Sequence, residues 1–379
     1  MYFAVGSMNL APFRGRVGPN VLWLAAGGLV CFGLGVWART LVSARPTSDA
    51  NAASSRVVQD VAGWRAAAVP LGLTGVAAAI GIVAQLGELP ILAGDRRMGA
   101  SGYLSTLLTG CILALVITGG HALATRKWRL IAYCVLGSGL LIILGYRTFL
   151  LVPLLTLFFT ARNLGMVRLK ARWWLAGGIL LYILSWLAFY RFGAGKDALF
   201  RSLMRLGMPP EYRHIIPIWM TPYEGTAILG RLMDRFPANW DYQRGQLFLS
   251  TFETVLPGPQ PGARTLIAEY VGGRPGVTIT PSILGQPYVD FGVVGVAVYM
   301  LLVGFALKSI WIWQASSLTW APRVAAAYVL VVLLLSIHNG LFDLSMILSS
   351  LFMLWWARHS EMRAVVVGDF TTKRAMSMN

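Results

Sequence analysis

Apolar runs of roughly membrane-spanning length recur along the chain, and one long polar interval interrupts them. The runs at 21–38, 66–86, 103–124, 173–190 and 289–311 match the roughly 17–25 residues a helix needs to cross the hydrocarbon core. Those at 324–338 and 342–357 fall slightly short of it. Residues 130–161 are too long for one ordinary helix and short for two. Arg126, Lys127 and Arg129 precede this run, and Arg162, Arg168, Lys170 and Arg172 follow it. Basic clusters favour the cytoplasmic side. The chain must therefore cross twice, which predicts a helical hairpin with its tip at Gly145-Tyr146-Arg147, where glycine permits a tight turn.

Counting from the hairpin gives nine crossings. The N-terminus, residues 88–100, the polar interval at 191–287 and the turn at His338-Asn339-Gly340 then lie outside. The C-terminal tail, with Arg358, Arg363, Lys373 and Arg374, lies inside. Arg14 and Arg16 on the outer end oppose this orientation, but Arg39, Arg45, Arg56 and Arg65 outnumber them on the other side. The expected organisation is an N-terminal membrane bundle at 1–190, a large extracytoplasmic loop at 191–287, C-terminal membrane helices at 288–358 and a cytoplasmic tail at 359–379. Residues 44–55 read as a flexible linker. No period of 20–50 residues marks a repeat.

Composition agrees with an all-α polytopic membrane protein: 56% of the 379 residues are hydrophobic and 12% are charged. The net charge of +17 could point to nucleic acid. However, many of the basic residues sit in short loops between apolar runs, where membrane topology requires them, and no nucleic-acid motif accompanies them. Cys31, Cys111 and Cys134 all fall within apolar runs and read as core residues. The first apolar run starts late and no small-residue cleavage site follows it, so no cleavable signal peptide is expected.

The polar interval carries the candidate chemistry. Its apolar spacing predicts two amphipathic helices, at 197–206 and 222–236. The second has Ile228, Leu229 and Leu232 on one face and Arg231 and Arg235 on the other. A third apolar segment, 245–256, is too short to span. Ten basic residues face seven acids: Arg191, Lys196, Arg201, Arg205, Arg213, Arg231, Arg235, Arg244, Arg264 and Arg274 against Asp197, Glu211, Glu224, Asp234, Asp241, Glu253 and Glu269. An arginine excess suits an anionic partner, because the planar guanidinium fork matches phosphate oxygens. Two partners fit: lipid headgroups and a pyrophosphate-bearing lipid substrate. No Walker loop, nucleophile elbow or metal-ligand spacing is present, so neither metal nor cofactor is expected.

Three stretches, in order, carry a likeness. They are Gly87-Glu88-Leu89-Pro90-Ile91-Leu92, then Gly145-Tyr146-Arg147-Thr148-Phe149, then Thr280-Pro281-Ser282-Ile283-Leu284-Gly285-Gln286-Pro287-Tyr288-Val289-Asp290-Phe291-Gly292. With the large outer loop between the last two, the chain from residue 66 onward resembles the bacterial oligosaccharide repeat-unit polymerases, the O-antigen polymerase (Wzy-type) family. The resemblance implies a helical membrane bundle similar to class C glycosyltransferases, in the bacterial inner membrane. It also implies transfer of a glycan between undecaprenyl-pyrophosphate-linked oligosaccharides on the periplasmic face, and a chain-length regulator protein as a partner. Such families often carry Glu where Gln286 stands, which removes one candidate carboxylate.

Under that reaction, cations must stabilise the departing pyrophosphate. Arg147 at the hairpin tip is the first candidate; a snorkelling interfacial arginine is its plainer reading. Arg96, Arg97, Arg191, Arg231, Arg244, Arg264 and Arg274 are further pyrophosphate-binding candidates. The acceptor hydroxyl needs a base, for which His214, Glu253, Asp290 and His338 are available. Asp290 also reads, more simply, as a helix cap or first-turn acid. Trp240, Tyr242 and Tyr288 suit sugar stacking, or an interfacial aromatic belt. An O-antigen ligase and a peptidoglycan-type polymerase share these features. A lipid-linked oligosaccharide flippase would instead show midplane charges and internal repeats.

Overall fold

A computed structural model of the chain describes residues 18–43, 63–91, 102–144, 147–167, 177–179, 182, 186, 216–254, 262–272, 279, 281–317, 319–340 and 344–376. Among them, every regular element is a helix. These are α1 (Pro19–Val42), α2 (Trp64–Leu86), α3 (Gly102–Leu107), α4 (Thr109–Ala124), α5 (Trp128–Leu140), α6 (Arg147–Asn163), α7 (Ile216–Arg235), α8 (Gln246–Glu253), α9 (Ala263–Tyr270), α10 (Ser282–Ser316), α11 (Ala321–Asn339) and α12 (Leu344–Met376).

Among the described residues, four stretches are long and apolar enough to cross a membrane: Pro19–Val42, Trp64–Leu86, Gly102–Ala124 and Ser282–Ser316. Trp128–Leu140, Phe149–Asn163 and Ala321–Ile337 are shorter apolar helices. Most of the span expected at 173–190, the linker at 44–55 and the amphipathic helix at 197–206 lie outside the described residues. Large apolar side chains such as Trp23, Val30, Leu73, Leu136 and Val294 point outward. Such a surface is stable against lipid rather than water.

The chain forms two compact units. One contains α2 to α6, residues 307–333 and α12. Its central element is α4, which is buried on nearly all sides from Gly110 to Leu123 and so packs as a core helix. Gly75 of α2 and Gly110 of α4 make a close crossing. A Cβ on Gly75 would strike the Cys111 backbone, and one on Gly110 would strike the Leu71 carbonyl. Small residues let helix backbones meet where lipid removes the hydrophobic drive. At the expected hairpin lie two helices, α5, which continues into a short 3-10 turn at Leu141–Leu144, and α6; both pack on α4 and on each other. Trp313 Nε1, near the end of α10, donates to Glu361 Oε2 of α12 at 2.8 Å, and α12 itself runs on to Met376, well into the segment expected as a tail.

The second unit contains α1, residues 169–306 and residues 334–343. Here α1 crosses α10 through Gly35 and Gly304. A Cβ on either would meet a carbonyl of the other helix, Leu301 O or Phe32 O. The polar interval folds onto this pair. Its helices α7, α8 and α9 share one core with α1 and the first part of α10, centred on Leu229, Leu232, Leu247, Ile267 and Val289.

Candidate functional site

The site is organised by the start of α10. Ser282 to Asp290 are all buried, and the helix is broken at Gly292, with φ 65° and ψ −150°. That combination is open essentially only to glycine. A broken helix leaves its last carbonyls without intrahelical donors, and the polar interval supplies them. Gln243 N donates to Val289 O at 3.0 Å and Arg244 N to Asp290 O at 2.8 Å.

Asp290 completes the join. Its carboxylate oxygens accept from the amides of Leu247, at 3.0 Å, and Phe248, at 3.2 Å. These amides open α8, whose own cap position is Gly245, with no side chain to offer. The cap therefore comes from another helix, and it satisfies both a buried carboxylate and two orphan donors.

An aromatic layer lies beside it. Tyr288 donates its hydroxyl to Phe236 O at 3.1 Å. The Tyr242 ring stacks near Phe236 and meets Tyr288 edge-on, and it fills the space where a Cβ on Gly292 would sit. Tyr270 receives Trp240 and Phe236 against its ring at 5.3 and 5.4 Å and donates to Gln243 Oε1 at 3.0 Å. Burial, and then the charges of Asp290 and Glu269, hold the Tyr270 phenol above its ordinary range, so it acts as a neutral donor. Arg235 Nη1 donates to Tyr270 O at 2.6 Å, which ties α7 to the end of α9.

A cavity of about 660 Å³ runs between α1, α7 and α10. Asn20, Arg231 and Asp234 line it together with Val21, Leu24, Gly27, Gly28, Val293 and Val296. Its wall is largely apolar and its charged groups all come from α7.

The sequence candidates fall into three groups. Arg231, Arg244, Arg264, Trp240, Tyr242, Tyr288, Asp290 and Glu253 belong to the unit just described. Arg231, Arg244, Trp240 and Glu253 are exposed, Arg264 and Tyr242 are half-buried, and Tyr288 and Asp290 are buried in bonded positions. Arg147 opens α6 in the other unit. There the Ile91 amide donates to the Ile143 carbonyl at 3.0 Å, which fastens the Gly87–Ile91 segment beside the hairpin turn. Arg96, Arg97, Arg191, His214 and Arg274 lie outside the described residues, as does the side chain of His338. The helix expected over 222–236 runs from Ile216 to Arg235, with Ile228, Leu229 and Leu232 buried. The contribution of α1 had no functional signal in the sequence beyond its Gly27-Gly28 pair.

The arrangement places one guanidinium, Arg231, and one carboxylate, Asp234, on the wall of an otherwise largely apolar cavity. The family model for O-antigen polymerases matches residues 8–349. No protein of curated function and no solved structure matches the chain.

Proposed function

The chain belongs to the O-antigen polymerase family, a membrane polysaccharide-assembly family of glycosyltransferase type, and on that premise we propose that it polymerises undecaprenyl-pyrophosphate-linked repeat units on the periplasmic face of the inner membrane. The observation that carries the proposal is the family match across residues 8–349. The charge distribution of the loops supports the periplasmic orientation, and the arginine excess of residues 191–287 supports a pyrophosphate ligand.

In this reading an acceptor sugar hydroxyl attacks the anomeric carbon of the donor glycan. The carbon–oxygen bond to the pyrophosphate breaks, and the lipid pyrophosphate leaves with the electron pair. The hydroxyl proton passes to a base, for which His214 and Glu253 are proposed. Arg147 stabilises the charge that grows on the leaving pyrophosphate. Arg96 and Arg97 follow the segment that Ile91 fastens beside the hairpin turn, and they add cations for the same lipid. Arg191, Arg231, Arg244, Arg264 and Arg274 serve lipid pyrophosphates from the loop. Asp290 acts as a positioning residue, because its carboxylate is engaged by α8. No metal or cofactor enters this scheme, and a chain-length regulator protein is the proposed partner.

Deletion of the protein, followed by gel analysis of the cell's glycan, tests the proposal. Lipopolysaccharide capped by a single repeat unit is the expected outcome. Accumulation of long, unattached lipid-linked glycan would identify a ligase instead.

A further inference from the structure

The reaction proposed above joins two lipid-linked units, and this inference rests on that reading. Each unit brings its own isoprenoid chain and its own pyrophosphate. Only the donor's pyrophosphate changes charge during the reaction, so the two lipids need different surroundings.

The cavity between α1, α7 and α10 has the form of a site for one such lipid. It follows α1 from Gly18 to Cys31, roughly 20 Å of helix at 1.5 Å per residue. Both α1 and α10 are long and apolar enough to span a membrane, so the groove runs along the bilayer core. One side of it is opened by missing side chains: a Cβ on Gly27 meets nothing within 4 Å. Its charged groups are Arg231 and Asp234, with Asn20 as a neutral partner. A solute that is apolar along most of its length and anionic at one end matches both features.

The pairing of charges selects between the two lipids. Arg231 attracts a pyrophosphate, but Asp234, three residues on and in the same wall, opposes any further growth of negative charge there. That balance suits an intact pyrophosphate and disfavours a leaving one. We infer that this groove holds the isoprenoid chain and pyrophosphate of the acceptor lipid.

A benzophenone-bearing undecaprenyl pyrophosphate, photoactivated with the full-length protein in phosphatidylethanolamine vesicles, tests this. Crosslinks are expected on peptides of α1 and α7, displaced by undecaprenyl pyrophosphate and not by phosphatidylglycerol. Gly27→Leu places a side chain in the open groove and should reduce the crosslink about tenfold, the equivalent of a tenfold weaker affinity. Arg147→Ala, on the donor side, should leave it in place. Equal displacement by phosphatidylglycerol would overturn the inference, as would an unchanged crosslink in a Gly27→Leu protein of wild-type thermal stability. Loss of the crosslink in Arg147→Ala would assign the groove to the donor. A chain that crosslinks as expected while its deletion leaves the polymer normal would sink the polymerase reading and leave the lipid site standing. If Gly27→Leu does not fold, the lipid competition on the wild-type protein decides alone.

Discussion

The carboxylate of Asp290 accepts a hydrogen bond from the Leu247 amide at 3.0 Å across 43 residues of sequence. One side chain on a membrane-span helix thereby sets where a helix of the polar interval begins. The second oxygen takes Phe248 N at 3.2 Å, so both acceptors are used. The carboxylate is thereby engaged in fixing the start of α8.

This relationship predicts different outcomes for two substitutions. Asparagine is among the best capping residues, but its Nδ2 cannot accept, so Asp290→Asn should keep the bond from one amide and lose the other. Asp290→Ala removes the acceptor and should cost about 1–2 kcal/mol, the upper range for loss of a cap. Hydrogen exchange at Leu247 and Phe248 should accelerate in the alanine variant first. Polymer synthesis by Asp290→Asn near the wild-type rate would fit a positioning role. A collapse of rate in a stably folded Asp290→Asn protein would instead return Asp290 to the catalytic candidates.

Gly292 makes the second prediction. Its φ of 65° with ψ −150° excludes other residues, and a Cβ there would press into the Tyr242 ring. Gly292→Ala should therefore be destabilising by several kcal/mol, combining backbone strain of order 1–3 kcal/mol with overpacking of about the same size. Thermal unfolding in detergent measures it. Gly177→Ala is the comparison, since a Cβ there meets nothing within 4 Å and its φ is not positive. Equal melting of the two variants would contradict the account of the break.

Local signals were legible in the sequence, and tertiary ones were not. The buried stripe Ile228, Leu229 and Leu232 follows from helical periodicity, and it is buried in α7. The break between α5 and α6 follows from Gly145 and the flanking basic clusters. The start of α10 at Ser282 falls inside the interval 191–287 that the sequence marks as loop, and Pro281 and Pro287 give no local sign of a helix there. Pro287 nonetheless lies within the helix, close to the break at Gly292. The cap by Asp290 depends on packing between distant segments, and no spacing rule reports it. Charge alone marks 359–379 as a tail, although Glu361, Met362 and Arg363 are good helix formers and lie within α12.

The orientation of the loops is a third expected outcome. A single cysteine at 231 should react with an impermeant maleimide from outside the cytoplasmic membrane, and one at 168 should not. The reasoning is electrostatic: Arg162, Arg168, Lys170 and Arg172 form a short-loop basic cluster, the kind retained in the cytoplasm. Reaction of both positions from the same side would rule out the nine-crossing arrangement.

Arg147 carries the strongest functional prediction. It opens α6, three residues beyond the 3-10 turn that ends at Leu144, and the basic flanks of the hairpin predict that end at the outer surface. A guanidinium at the edge of a membrane bundle is costly to retain without an anionic partner. The leaving lipid pyrophosphate is an anion whose charge grows as the reaction proceeds, and a fixed cation lowers that barrier selectively. Arg147→Ala should reduce the polymerisation rate by about 10²–10³, the typical loss for one transition-state donor, with insertion and melting unchanged. Arg147→Lys should recover only part of it, because an ammonium is a point charge and cannot make the two-pronged contact of a guanidinium. Initial rates with a lipid-linked repeat unit, compared across the three proteins, measure the effect. A wild-type rate in Arg147→Ala would make this residue an interfacial anchor and move the donor's pyrophosphate away from the hairpin.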